Sequence, residues 1–111
     1  MIVHDGRSAT IDAAKALRNT IFDAFGIKLE VKIASADSEA EKEIVIGNCR
    51  PIAEKVVGKL TGKFDFIFRV EPNKLVLYAN HSLGYDYLGQ YLKEEVFVKG
   101  EGAAFIVQIP I

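Results

Sequence analysis

Apolar side chains recur at three- and four-residue intervals from Ile11 through Ala14, Leu17, Ile21 and Phe22 to Phe25. That spacing predicts an amphipathic helix with one apolar stripe. Ser8 or Thr10 is placed to cap its first amides, with Asp12 near the positive end of the dipole. Gly26 stands where a left-handed residue ends such a helix. Beyond it Ile27, Leu29, Val31 and Ile33 alternate with Lys28, Glu30 and Lys32, which predicts a strand with one face on the core. Ile2-Val3 reads as the end of a short strand before the helix. Ser35 to Lys42 is small and polar, a solvated loop. Ile44-Val45-Ile46 is continuous and β-branched, as in a strand buried on both faces. Gly47-Asn48 breaks it, Pro51 suits the first position of a helix, and Ile52, Val56, Val57 and Leu60 give that helix a short apolar face ending at Gly62. Phe64, Phe66, Phe68 and Val70 share one side of the next strand. Glu71-Pro72-Asn73-Lys74 forms a tight turn, and Leu75 to Ala79 is the return strand. A last helix runs from Leu83 or Gly84 to about Val96, with Leu88, Tyr91 and Leu92 inward. Gly100 and Gly102 loosen the chain before a final strand from Ala103 to Ile109.

The order of elements predicts an α+β domain, a mixed β-sheet with two main helices packed on one face. The crossover through the first helix favours a parallel, right-handed strand pair. With 111 residues and no linker or repeat, residues 1–111 form one domain with one core. Fourteen basic against fifteen acidic residues leave a net charge of -1, without the basic excess of a nucleic-acid-binding domain. No apolar run approaches the ~20 residues of a membrane span, and the first five residues lack the features of a signal peptide. The chain is expected to be cytosolic or a piece of a longer exported protein. A single cysteine, Cys49, excludes an internal disulfide.

Candidate chemistry is sparse. His4 and His81 read as loop histidines, since neither Cys-x-x-Cys nor His-Glu-x-x-His spacing is present, and no metal or other cofactor is expected. His4-Asp5 as a base with Cys49 or Ser82 as nucleophile is the one enzymatic arrangement available, but nothing in the sequence brings those residues together. A free cysteine after a buried strand is otherwise a small hydrophobe. Gly47-Asn48 lacks the context of a phosphate loop. Asp65, Glu94 and Glu95 read as solvated carboxylates rather than a glycosidase pair. Asn80-His81-Ser82 matches a glycosylation sequon, a pattern short enough to arise by chance. Tyr78, Tyr85, Tyr87 and Tyr91 crowd around the last helix. Tyr91 fits its inner stripe, whereas Tyr85 and Tyr87 are candidates for exposure, able to stack on a sugar or fill an interface. The aromatic strand Phe64, Phe66 and Phe68 is the second candidate patch. No catalytic residue is assigned.

Ala13-Ala14-Lys15-Ala16-Leu17, Phe25-Gly26-Ile27-Lys28-Leu29, Glu43-Ile44-Val45-Ile46-Gly47-Asn48, Arg50-Pro51 and the hairpin Phe66 to Leu77 follow one another in a recognisable succession. Together with Leu83-Gly84 and Tyr87 to Leu92, they resemble the small α/β domain that precedes the catalytic barrel in family 20 β-hexosaminidases and α-glucuronidases. The resemblance covers residues 2 to about 97 and implies the hexosaminidase domain-2-like fold. It implies a non-catalytic role beside a neighbouring catalytic domain of the same polypeptide, in a carbohydrate-active or cell-surface bacterial protein. The family's catalytic acids lie in the barrel, so none transfers to this chain. Where the family has a Gly-Gly-Ser-like loop before the last helix, Asn80-His81-Ser82 stands here, and the strand at Ala103–Ile109 has no firm counterpart. A weak carbohydrate-binding module using Tyr85 and Tyr87 is the alternative, and a small stand-alone enzyme the third reading.

Overall fold

A computed structural model describes residues 1–35, 39–58 and 60–97. Five strands form one mixed sheet, crossed by two helices: β1 (Ile2–His4), α1 (Ser8–Phe25), β2 (Val31–Ile33), β3 (Glu43–Ile46), β4 (Phe66–Val70), β5 (Lys74–Ala79) and α2 (Ser82–Tyr91). The strand order is β2-β1-β3-β5-β4. β1 pairs in parallel with both β2 and β3, β3 pairs in parallel with β5, and β4 closes the sheet antiparallel to β5. The expected α+β fold is therefore present, with the parallel β1–β2 pair that the first crossover favoured. The strand expected at Ala103–Ile109 lies outside the described residues.

α1 begins and ends for identifiable reasons. Its N-cap is Arg7, and no side chain caps it. Asp5 organises the approach instead, accepting from the Arg7 amide at 3.1 Å and from the Thr10 hydroxyl. Neither Ser8 nor Thr10 takes the capping role expected of it, and Asp12 falls beyond the first turn. Gly26, at φ 71°, ends the helix by donating its amide to the Phe22 carbonyl at 2.8 Å. This is the left-handed cap that the sequence predicted.

The sheet divides the apolar interior into two unequal parts. Ile2, Ile44, Ile46, Leu75 and Leu77 face α1 and α2, meeting Ala14, Leu17, Ile21, Tyr85, Leu88 and Leu92. Val3, Val45 and Val76 face the other way, onto Ala53 and Val56. The short helix that supplies Ala53 is a 3-10 helix, Pro51–Lys55, with Pro51 at its start. The chain turns after it at Gly58, φ 83°, ahead of the expected stop at Gly62. α2 passes directly into a π-helical turn, Leu92–Phe97, reaching the expected length in two conformations. Both main helices lie on one face, leaving the other to the 3-10 helix.

Candidate functional site

Two surfaces hold the residues singled out by sequence. The first is an aromatic ridge along β4 and α2. Even-numbered residues of β4 face α2, so Phe66 and Phe68 pack half-buried against the larger cluster. The Tyr91 ring meets Phe66 at 5.5 Å and Phe68 at 6.2 Å between centroids. One helical turn earlier, Tyr87 meets Phe64 edge-on at 5.2 Å and 83°. Phe64 remains 53% exposed and Tyr87 50%. Edge-to-face pairs of this kind add about 0.5–1.5 kcal/mol beyond area burial.

Tyr85 does not belong to that ridge. It is 7% exposed, inside the larger cluster, where burial pushes its phenol up to about 12. The expectation that it is exposed is corrected: Tyr85, Leu88 and Leu92 stand three and four residues apart, and they form the inner stripe. Tyr91, expected inside, is rotated outward from that stripe and borders solvent. The structure thus brings Phe64, Phe66, Phe68, Tyr87 and Tyr91 together and sets Tyr85 apart.

The second surface is a polar crevice at the carboxyl ends of β1, β3 and β5, where open α/β sheets commonly bind ligands. Asp5, Arg7, Thr10, Asn48, Tyr78, Asn80, His81 and Ser82 border it. Most of its polar groups are already engaged. Asp5 holds the start of α1, and the Asn80 amide donates to the Leu60 carbonyl at 2.7 Å. His81 caps α2, its Nδ1 accepting from the Leu83 amide at 3.1 Å. Gly47 has φ 88°, and a Cβ added to it would stand 2.6 Å from Asp5 Oδ2, too close for any side chain. The Ile-Gly-Asn stretch is shaped by that close approach. Among the described residues every buried side-chain nitrogen and oxygen has a hydrogen-bond partner. None is left aimed into the crevice.

The remaining candidates are structural. His4 is a buried strand residue, not a loop histidine, and its Nδ1 accepts from the Gly6 amide at 3.0 Å. Cys49 packs into the smaller cluster, and burial pushes its thiol up to about 11. A thiol so raised is almost wholly protonated at neutral pH and a poor nucleophile. Asp65 accepts from the Gly62 amide at 2.8 Å, and Gln90 reaches Glu94 at 3.3 Å. Among the described residues no group of three or more His, Cys, Asp or Glu is placed to hold a metal ion. No helix among them is long and apolar enough to cross a membrane.

Sequence reasoning missed the polar centre of the domain. Glu43, fully buried at the start of β3, receives Arg50 through Nε and Nη2, each at 2.9 Å. Lys74 Nζ approaches the same carboxylate at 3.0 Å, and the Ala40 amide donates to it at 3.1 Å. Arg50 Nη1 also reaches the Ser35 carbonyl at 2.8 Å. The available signal was an acid and a base bracketing the apolar Ile44–Ile46 run. Neither the protein-family models nor the curated proteins give a match to this chain.

Proposed function

We propose that this chain is a non-catalytic accessory domain that packs against a neighbouring catalytic domain of the same polypeptide. The parent is a carbohydrate-active or cell-surface bacterial protein, as the family resemblance implies. The observation that carries the reading is the ridge, where two large aromatic rings pack edge-on against each other and stay half exposed. Aromatic anchors fixed before contact lose little side-chain entropy on docking and suit the centre of an interface. The polar groups elsewhere support the same reading. They cap helices, tie loops or neutralise one another, and where a hydroxyl meets an imidazole, Ser82 Oγ at 3.4 Å from His81 Nδ1, that nitrogen already accepts from the Leu83 amide.

The carbohydrate-binding reading rests on Tyr87 alone once Tyr85 is in the core. Its edge-on contact with Phe64 does not build the flat shared platform that sugar stacking favours. Hydrogen exchange separates the readings when measured on this chain alone and on the chain with its native flanking sequence. The amides around Phe64 and Tyr87 are expected to gain protection in the longer protein. Equal protection in both overturns the docking role. Oligosaccharide titration of the short chain to about millimolar concentration is expected to leave tyrosine fluorescence unchanged. A saturable change assigns the ridge to sugar instead.

A further inference from the structure

We propose that the chain pairs with a second copy of itself along the outer edge of β4, antiparallel, about a two-fold axis at Phe68. Among the described residues β4 has one neighbour, β5. The Glu71 amide donates to the Lys74 carbonyl at 2.8 Å, which makes that pair a hydrogen-bonded one. Antiparallel pairs alternate, so Arg69 opposite Val76 and Ile67 opposite Tyr78 also turn their backbone groups toward β5. The amides and carbonyls of Phe66, Phe68 and Val70 consequently point away from the sheet, and among the described residues none of them meets a partner. Exposed edges are commonly blunted by proline, lysine or a bulge. β4 has none of these: it reads Phe-Ile-Phe-Arg-Val in unbroken register, and its one charge, Arg69, is held by Glu71.

The strand itself selects the occupant, because it is complementary to itself in one register. With Phe68 facing the partner's Phe68, Phe66 faces the partner's Val70. Facing pairs of this class exchange both their hydrogen bonds, so every outward group of Phe66, Phe68 and Val70 is satisfied. On the side beneath α2, the partner's Phe66 lands beside Val70, which is 56% exposed in the single chain. Aromatic and β-branched side chains make favourable cross-strand pairs. On the other side Arg69 faces the partner's Ile67, so no like charges are opposed and the arginine stem lies along an apolar side chain. Sliding the strands by two residues spoils the match. In one direction Arg69 meets the partner's Arg69, and Phe66 meets the partner's Pro72, which has no amide to give. In the other, Val70 runs past the start of the partner strand to the partner's Phe64. This assignment is independent of the docking role of Phe64 and Tyr87.

Sedimentation and amide exchange across a concentration series test it. Between about 10 µM and about 1 mM the mass is expected to reach that of two chains. Over the same range the Phe66, Phe68 and Val70 amides are expected to slow by about tenfold, since the unpaired fraction falls with the square root of concentration. Ile67 and Arg69, bonded to β5, stay unchanged. Val70→Lys, at an exposed position, is expected to keep the wild-type circular dichroism and abolish both effects. Oxidative cross-linking in a Cys49→Ser background reads the register: Ile67→Cys and Arg69→Cys proteins, when mixed, are expected to form disulfides with each other and neither with itself. A single-chain mass with free-amide exchange at every concentration overturns the proposal. A single-chain mass with slow, concentration-independent exchange overturns it in favour of a segment of the same chain. A dimer that Val70→Lys leaves intact, or in which either cysteine variant cross-links only to itself, overturns it by placing the interface or its register elsewhere.

Discussion

At the scale of single residues, the side chain with the largest consequence is Glu43. Burial alone would raise its carboxyl, yet the hydrogen bonds from Arg50, Lys74 and the Ala40 amide outweigh burial and hold it below the ordinary 4.5. Such a cluster is tolerated because its geometry is complete, and removing one member leaves buried charge without a partner. Glu43→Ala is therefore expected to cost about 3–5 kcal/mol, read by urea denaturation at neutral pH. The sign of the pH dependence follows from the depressed carboxyl. Its stabilisation is fully present above the unfolded-state value and is lost as pH falls through the lower folded value. Glu43→Gln removes that dependence, so the stability gap to the wild type is expected to narrow steadily as pH drops below 4.5. A gap that stays constant across that range shows that the cluster does not set acid stability. Cys49 obeys the same logic with the opposite sign, because nothing compensates its burial enough to lower the thiol.

At the scale of elements, what could be read from the sequence depended on how far each element's neighbours constrained it. α1 was legible in its period and its Gly26 cap, which are local properties, but not in its N-cap, and Phe22, counted in its stripe, is exposed. The β4–β5 hairpin was legible because Pro72-Asn73 carries its own turn. The strand after α1 was not: seven residues alternate from Ile27 to Ile33, but only Val31–Ile33 pair. Its one partner among the described residues, β1, is three residues long, and the register Ile2–Val31 to His4–Ile33 exhausts it. The phase of α2 was misread because Tyr91 and Leu92 are adjacent and both apolar, while the Tyr85–Leu88–Leu92 spacing names the buried face. Gly84 belongs to that buried face, and packing decides its role. An added Cβ would stand 2.6 Å from the Asp65 carbonyl oxygen, 2.8 Å from Ala79 Cβ and 3.3 Å from the Lys63 carbonyl oxygen. Helix propensity alone favours Ala by about 1 kcal/mol, but backbone carbonyls cannot step aside. Gly84→Ala is expected to lose about 1–3 kcal/mol. Gly89→Ala, with nothing within 4 Å of its added Cβ, is expected to gain up to about 1 kcal/mol. Thermal denaturation of the two variants checks the contrast, and equal shifts overturn the close-packing account.

At the scale of the whole molecule, the sheet's two faces are covered to different depths; Phe22 and Ile33 are exposed singly, whereas several exposed apolar side chains adjoin one another at the β4 end. α1 and α2 bury the larger cluster, the 3-10 helix covers a smaller one, and Phe64, Val70, Tyr87 and Tyr91 stay exposed where β4 and α2 meet. A domain shaped only for its own stability gains little from two rings held half in water. The fold and the ridge are therefore expected to separate energetically. Leu77, 2% exposed in the larger cluster, is expected to cost about 2–5 kcal/mol when replaced by Ala, from lost transfer energy and an unfilled cavity. The double change Phe64→Ser and Tyr87→Ser removes more apolar volume, but from a half-solvated site. Its cost to the isolated chain is limited to about the 0.5–1.5 kcal/mol of the ring pair plus a modest area term. Denaturant unfolding of the three proteins measures the difference. If the double variant unfolds as readily as Leu77→Ala, the ridge is part of the core and the docking role loses its support. If it stays near wild-type stability while the longer native protein loses protection at that surface, the rings act between domains rather than within one.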